Sequence, residues 1–184
     1  MDSKLQIISG TYRGRKLALP PMARPTQNLA RSAVFNMLTG IFGAGDKIVA
    51  WDAFGGSGAM GLETLSRYPN STAIFTDISD ESLATIKKNT DGIAANRICI
   101  AKTDAAKVIK KYAGNVNLVF VDPPYENARV GMVFVTKLAD AVRAGTIIVQ
   151  EIEKIVPYSP DTLKWEILRD KNYGRARFVI LRRI

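Results

Sequence analysis

Histidine is absent from this chain, and cysteine occurs once, as Cys99. The first absence excludes Ser-His and Cys-His nucleophilic catalysis and His-ligated zinc. The second excludes an intramolecular disulfide framework and a cysteine-cluster metal site. No apolar run approaches the ~20 residues that span a bilayer, so an integral membrane protein is not expected. The opening residues lack the basic-then-apolar pattern and small-residue cleavage site of a secretory signal, so none is expected. Chemistry is left to carboxylates, backbone groups, aromatics or a bound cofactor.

Acidic residues are also short. Lys and Arg number 26 against 17 Asp and Glu, a net charge of +9, and the excess sits at the two ends. Residues 1–31 carry six basic side chains and one acid, residues 164–184 seven and two, and the middle is close to neutral. Two basic ends on a near-neutral body suggest a grip on a polyanion. At 184 residues and 47% apolar composition, one domain with a small appendage is expected.

Lys4–Ser9 and Lys16–Leu19 alternate apolar and polar residues around Gly10 and Gly14, which predicts a β-hairpin studded with Arg13, Arg15 and Lys16. Pro20-Pro21 ends it. Thr26 is a plausible N-cap for a helix to about Phe42, with an apolar stripe of Leu29, Ala33, Phe35–Met37 and Ile41. Strands are then expected at 47–53, 72–77, 97–101, 117–122 and 145–150, and helices at 58–68, 80–95, 104–113 and 128–143. The strands are continuous apolar runs, as suits a parallel sheet covered on both faces. Residues 163–169 and 176–182 alternate around Tyr173-Gly174, like a closing antiparallel hairpin. The fold class is α/β: a Rossmann-like, doubly wound, mostly parallel sheet with an antiparallel C-terminal strand and an N-terminal β-hairpin. The division expected is 1–22 for the basic extension and 23–184 for the working domain.

In such sheets ligands bind at the carboxyl ends of the strands. The first strand runs into Asp52-Ala53-Phe54-Gly55-Gly56-Ser57-Gly58-Ala59-Met60-Gly61, a G-x-G-x-x-G turn between strand and helix. Such a loop serves either a dinucleotide or S-adenosylmethionine. Asp52 at the strand end would repel a pyrophosphate and suits a ligand with a cationic amine, as S-adenosylmethionine has. Asp52 also reads as a loop or helix cap. Asp77, ending the second strand, can accept hydrogen bonds from ribose hydroxyls. Asp104 can face an adenine edge or serve as a helix N-cap. Phe54, Ser57, Gly56, Gly58, Ile78 and Ala105 complete the candidate cofactor set. Cys99 is expected to be a small core residue.

After the fourth strand comes Asp122-Pro123-Pro124-Tyr125. Two prolines stiffen the loop and remove two N–H donors, leaving the Asp122 carboxylate and the Pro123 carbonyl as acceptors. Two converging acceptors can hold both hydrogens of an exocyclic amino group, and Tyr125 can stack on a flipped-out base. A covalent intermediate on cysteine is not expected, because Cys99 lies inside a predicted strand away from this loop.

The chain resembles the RsmD-type methyltransferases, which modify N2 of one guanine in bacterial small-subunit ribosomal RNA. The matching stretches include Ile8-Ser9-Gly10-Thr11-Tyr12-Arg13-Gly14-Arg15-Lys16-Leu17, Arg24-Pro25-Thr26, Ala33-Val34-Phe35-Asn36, Phe54-Gly55-Gly56-Ser57-Gly58, Gly61-Leu62-Glu63, Leu65-Ser66-Arg67, Asp122-Pro123-Pro124-Tyr125 and Tyr173-Gly174. Three positions depart from that pattern: Gly55 stands for Ala, Ser32 for Glu, and Asp77 for the commoner Glu. The resemblance implies S-adenosylmethionine as cofactor and Asp122, Pro123 and Tyr125 as catalytic residues, and the clustered basic charge marks Arg13, Arg15, Lys16, Arg24 and Arg31 as expected RNA contacts. The resemblance also implies ribosomal RNA as partner, free or within the small subunit, and a cytoplasmic monomer. An adenine-N6 methyltransferase acting on DNA or RNA is the alternative enzyme. An NAD-dependent oxidoreductase would leave Asp122-Pro123-Pro124-Tyr125 unexplained, and a non-catalytic RNA-binding module would leave the acidic, glycine-rich cleft unexplained.

Overall fold

The computed structural model describes residues 5–21, 28–124 and 128–184. Helix α1 (Asn28–Thr39) leads into strand β1 (Val49–Asp52), helix α2 (Ala59–Arg67), strand β2 (Thr72–Asp77), helix α3 (Asp80–Asn89) and strand β3 (Ile98–Lys102). Helix α4 (Ile109–Tyr112), strand β4 (Leu118–Val121), helix α5 (Ala128–Leu138) and strands β5 (Ile147–Glu153), β6 (Trp165–Tyr173) and β7 (Ala176–Arg183) complete the order. One seven-stranded sheet runs β3-β2-β1-β4-β5-β7-β6. Strands β1 to β5 are parallel, and β7 lies antiparallel between β5 and β6. This is the expected α/β architecture with its antiparallel C-terminal strand.

The apolar strand runs follow from burial on both faces. Ala50, Leu118, Phe120, Val149 and Ile180 pack against Val34, Phe35 and Leu38 of α1. Trp51, Val119, Val121, Ile148 and Leu181 face Phe134 and Leu138 of α5. Helix α3 begins at Ser79, whose side chain accepts from Ser82 N; Asp80 and Glu81 occupy its first turn and Lys87 and Lys88 its last, matching the helix dipole. Among the described residues no helix is long and apolar enough to cross a membrane.

Several sequence expectations change. The N-terminal hairpin is present but short: Gln6 lies opposite Lys16 in an antiparallel bridge, Ile7 N donates to Arg15 O (3.0 Å), Leu17 N to Leu5 O (2.9 Å) and Gly14 N to Ile7 O (2.9 Å), and Leu5, Ile7 and Leu17 are buried as the alternation requires. Four further N–H groups of the arm turn to α2. Ile8 N and Ser9 N donate to Glu63 (2.8 and 3.0 Å), Thr11 N to Ser66 O (2.9 Å) and Tyr12 N to Ser66 Oγ (2.9 Å). Gly10 allows this docking: at φ +84° its missing Cβ would lie 2.0 Å from Ser66 O. The Thr26 cap lies outside the described residues. The buried stripe of α1 is Ala30, Arg31, Val34, Phe35 and Leu38, so it is rotated from the expected one, and Leu29 is exposed.

Helix α3 stops at Asn89, short of residue 95. The 104–113 helix keeps helical spacing in its buried residues Ala105, Ile109 and Tyr112 but divides into a 3-10 turn, the single-turn α4 and a second 3-10 turn. Cys99 is exposed, not in the core. Strand β3 is the sheet edge; Ile98 and Ile100 pack with Ile86 of α3, while Cys99, which alternates to the other face, has its Sγ 4.0 Å from the Tyr112 hydroxyl.

Candidate functional site

Three strand ends, those of β1, β2 and β4, lie side by side at the carboxyl edge of the sheet. Asp52 closes β1 and pairs in register with Phe120 of β4, which puts the glycine-rich loop beside the Asp122-Pro123 segment. Asp77 closes β2, alongside β1. The strand register sets Asp52, Asp77 and Asp122 at neighbouring strand ends around the point where strand order reverses.

The glycine-rich loop is tied to the sheet through its backbone. Gly55 N donates to Thr76 O (2.8 Å), Gly56 N to Asp77 Oδ2 (2.9 Å) and Gly61 N to Asp52 Oδ2 (3.0 Å). The other Asp77 oxygen accepts from Ser79 N at 2.8 Å. A Cβ at Gly61 would meet the Phe75 ring at 2.4 Å, so glycine is required there for α2 to reach the sheet. Asp52 is 4% exposed. Burial pushes its carboxyl up to about 7; the Gly61 bond pulls it down, and Asp77 raises it again.

Asp104 does cap the following turn, accepting from Ala106 N at 2.9 Å, and Ala105 is buried. Ile78 is 71% exposed beside Asp77, an apolar face on the rim. Phe54 packs edge-on against Phe134 (5.5 Å between centroids), anchoring the loop's first turn. Ser57 is half-buried and Gly58 buried, and Gly58 adopts φ +75° ahead of α2. Asp122 is half-buried and Pro123 buried. Gly131 of α5 makes room for the proline: a Cβ there would come within 2.8 Å of Pro123 Cγ. Tyr125 and Arg24 lie outside the described residues.

The RNA-contact expectation divides. Arg13 and Lys16 differ from Arg31 in lying on the docked arm, where Arg13 is exposed; Arg15 of the same arm donates to Asp91 O. Arg31 is not a surface contact. It is fully buried, donates to Gln6 O and to Asn28 Oδ1 (3.1 Å), and stands 3.7 Å from Glu63. Burial pulls its guanidinium below the ordinary arginine range, Glu63 opposes that, and Arg67 adds to it. At the other basic end, most arginines face acids. Arg177 forks onto Asp170 (2.9 and 2.7 Å), Arg182 pairs with Glu166 and Arg175 with Glu153.

Sequence reasoning passed over Asn89. It is 3% exposed and makes three bonds: Ala18 N to its Oδ1 (2.8 Å), and its Nδ2 to Ala18 O and Ser57 O (both 2.9 Å). One amide thus joins the arm to the glycine-rich loop. Its only sequence signal is a polar residue at the end of an apolar helical stripe.

Comparison with known proteins agrees with this geometry. A family model described as conserved hypothetical protein 95 matches residues 5–182. The chain is 30% identical over 188 residues to ribosomal RNA small subunit methyltransferase D of Escherichia coli strain K12, spanning 99% of this chain and 91% of that one. It is 32% identical over 132 residues to the protein of the same name from Buchnera aphidicola subsp. Acyrthosiphon pisum, covering 70% of this chain and 67% of that one. The solved structure of Escherichia coli yhhF aligns with a TM-score of 0.79 at 30% identity, covering 97% of each chain.

Proposed function

The chain belongs to the ribosomal RNA small subunit methyltransferase D family, and from that premise we propose that it transfers a methyl group from S-adenosylmethionine to N2 of a guanine in small-subunit ribosomal RNA. The observation that carries the reading is the register of Asp52 with Phe120, which sets a glycine-rich, carboxylate-lined pocket next to an acceptor-rich proline loop.

The residues present fit the cofactor. The positive-φ glycines 56 and 58 leave a backbone cradle, the buried Asp52 suits an ammonium group, and Asp77 with the exposed Ile78 suits a ribose and an apolar base face. When bound, S-adenosylmethionine supplies an electrophilic methyl on sulfur. Asp122 and the Pro123 carbonyl accept the two amino hydrogens of the base, which localises the nitrogen lone pair for attack. Asp122 then holds the proton shed after transfer. Tyr125 stacks on the base. Residues 1–22 form the RNA grip and residues 23–184 the catalytic domain, acting as a monomer in the cytoplasm on RNA alone or within the small subunit.

Mass spectrometry of ribosomal RNA from cells with and without this protein tests the reading. N2-methylguanine missing from the deleted strain is expected. Loss of N6-methyladenine instead would move the chain to the adenine alternative.

Two further outcomes are expected. Below about pH 7 Asp52 holds its proton, and an ammonium ligand must displace it. Affinity for S-adenosylhomocysteine should therefore rise with pH, by up to about tenfold per unit, and level off above the Asp52 transition. Asp52→Asn should flatten this profile in calorimetric titrations. Replacing Arg13, Arg15 and Lys16 together with Ala should weaken RNA binding and flatten the slope of log K against log salt, by up to ~0.9 for each phosphate no longer neutralised. Binding of S-adenosylhomocysteine should stay unchanged.

A further inference from the structure

One carboxylate at the strand ends has no role in the chemistry described so far. Glu151 lies on β5 and is 8% exposed. Val121 pairs with Gln150, so the next step along the two strands sets Asp122 beside Glu151. Strand β4 ends there, and β5 continues to Glu153. Side chains alternate along a strand, so Asp122 shares a face with Phe120, and Glu151 with Val149. Phe120 and Val149 pack in the same core cluster, which puts both carboxylates on one side of the sheet. They line a single crevice, closed by Met60 at the start of α2 and by Phe178, the β7 partner of Glu151.

The chemistry of purine edges gives this placement a meaning. In guanine the N2 amino group is flanked by N1–H, so two donors stand side by side. In adenine the amino group is flanked by N1 as an acceptor. A carboxylate next to the group that holds the amino hydrogens matches a second donor and opposes an acceptor. Resting on the N2-guanine reading above, we propose that Glu151 is the residue that specifies guanine, accepting a hydrogen bond from N1–H while Asp122 engages the N2 amino group. A base with an acceptor at N1 leaves a desolvated carboxylate facing a lone pair, and a mismatch of this kind in a closed site supports discrimination of about 10² to 10⁴.

The test uses 2-aminopurine, which keeps the amino group at C2 but carries an acceptor at N1. Small-subunit RNA is assembled by ligation with guanosine or 2-aminopurine at the position found to be methylated, and transfer is measured with the wild-type protein. A kcat/KM at least about 10²-fold lower for 2-aminopurine is expected. Glu151→Gln offers an amide N–H to an N1 acceptor. It should lower kcat/KM on guanosine by on the order of 10²-fold and narrow or reverse the preference, with S-adenosylhomocysteine affinity retained as evidence of an intact fold. Equal use of the two bases by the wild-type protein, with the methyl group on the C2 amino nitrogen, would overturn the role of Glu151 and leave the N2 reading standing. A guanosine substrate left unmethylated at N2 would overturn the reading itself. The wild-type comparison stands whether or not the variant folds.

Discussion

Asp122→Ala should lower turnover by about 10²-fold or more while S-adenosylhomocysteine binds with near-normal affinity. The expectation follows from a division of labour along the strand ends. Asp77 is bonded to Gly56 N and Ser79 N and so holds the glycine-rich loop in shape. Asp122 follows β4, on the strand next to that loop, where it faces the proposed base. Removing its carboxylate deletes an acceptor for the amino hydrogens and for the proton released in transfer. Asp77→Ala should show the converse: a raised cofactor dissociation constant, because the Gly56 amide loses its acceptor and the ribose loses its partner. Single-turnover kinetics and calorimetry on both variants check the pair. Equal loss of cofactor affinity in the two would refute the division.

The largest effect on stability is expected from Glu63→Ala, a loss of roughly 3–5 kcal/mol in denaturant unfolding. Glu63 is fully buried and serves four groups. Its oxygens accept from Ile8 N, Ser9 N and Arg67 Nε, and Arg31 lies at 3.7 Å. Truncation leaves the buried Arg31 charge without its counter-charge and strips two N–H groups of the arm of their acceptor. By contrast Lys102→Ala, which breaks a solvent-exposed pair with Asp80, should change stability by less than about 1 kcal/mol. Combining Arg31→Met with Glu63→Leu should recover part of the loss, since the uncompensated charge is then gone. A Glu63→Ala protein as stable as the parent would mean that the Ser66 and Asn89 bonds and the apolar packing of Leu5, Ile7 and Leu17 hold the arm without the carboxylate.

Most of the sheet was legible in the sequence because its signals are local. Runs such as Leu118–Val121 can only be strands buried on both faces, and Asp52, Asp77 and Asp122 each fall where such a run stops. What could not be read depends on residues far apart in the chain meeting in space. Arg31 looked like part of a surface patch because its counter-charge, Glu63, lies on another helix. The arm alternates like a hairpin, but its pairing stays short because the N–H groups of Ile8, Ser9 and Tyr12 find acceptors on α2. Cys99 has the composition of a core position, and only the strand order makes β3 an edge. Asn89, Gly131 and Glu151 are single residues whose importance comes from what stands opposite them: the arm, Pro123 and Asp122.

The position of β7 has a consequence for how the molecule is made. Residues 176–183 insert between β5 and β6, both of which precede them in the chain. Until that segment leaves the ribosome, β5 presents a long, apolar, unpaired edge, and β6 has no neighbour. The β5-β7-β6 end of the sheet therefore closes only after synthesis has passed residue 183, by a pairing that leaves the β5 edge exposed to misassembly until then. A nascent chain halted before residue 176 carries the complete glycine-rich loop and proline loop on a scaffold open along one side. Quality control would meet it as an aggregation-prone intermediate, not as a smaller enzyme.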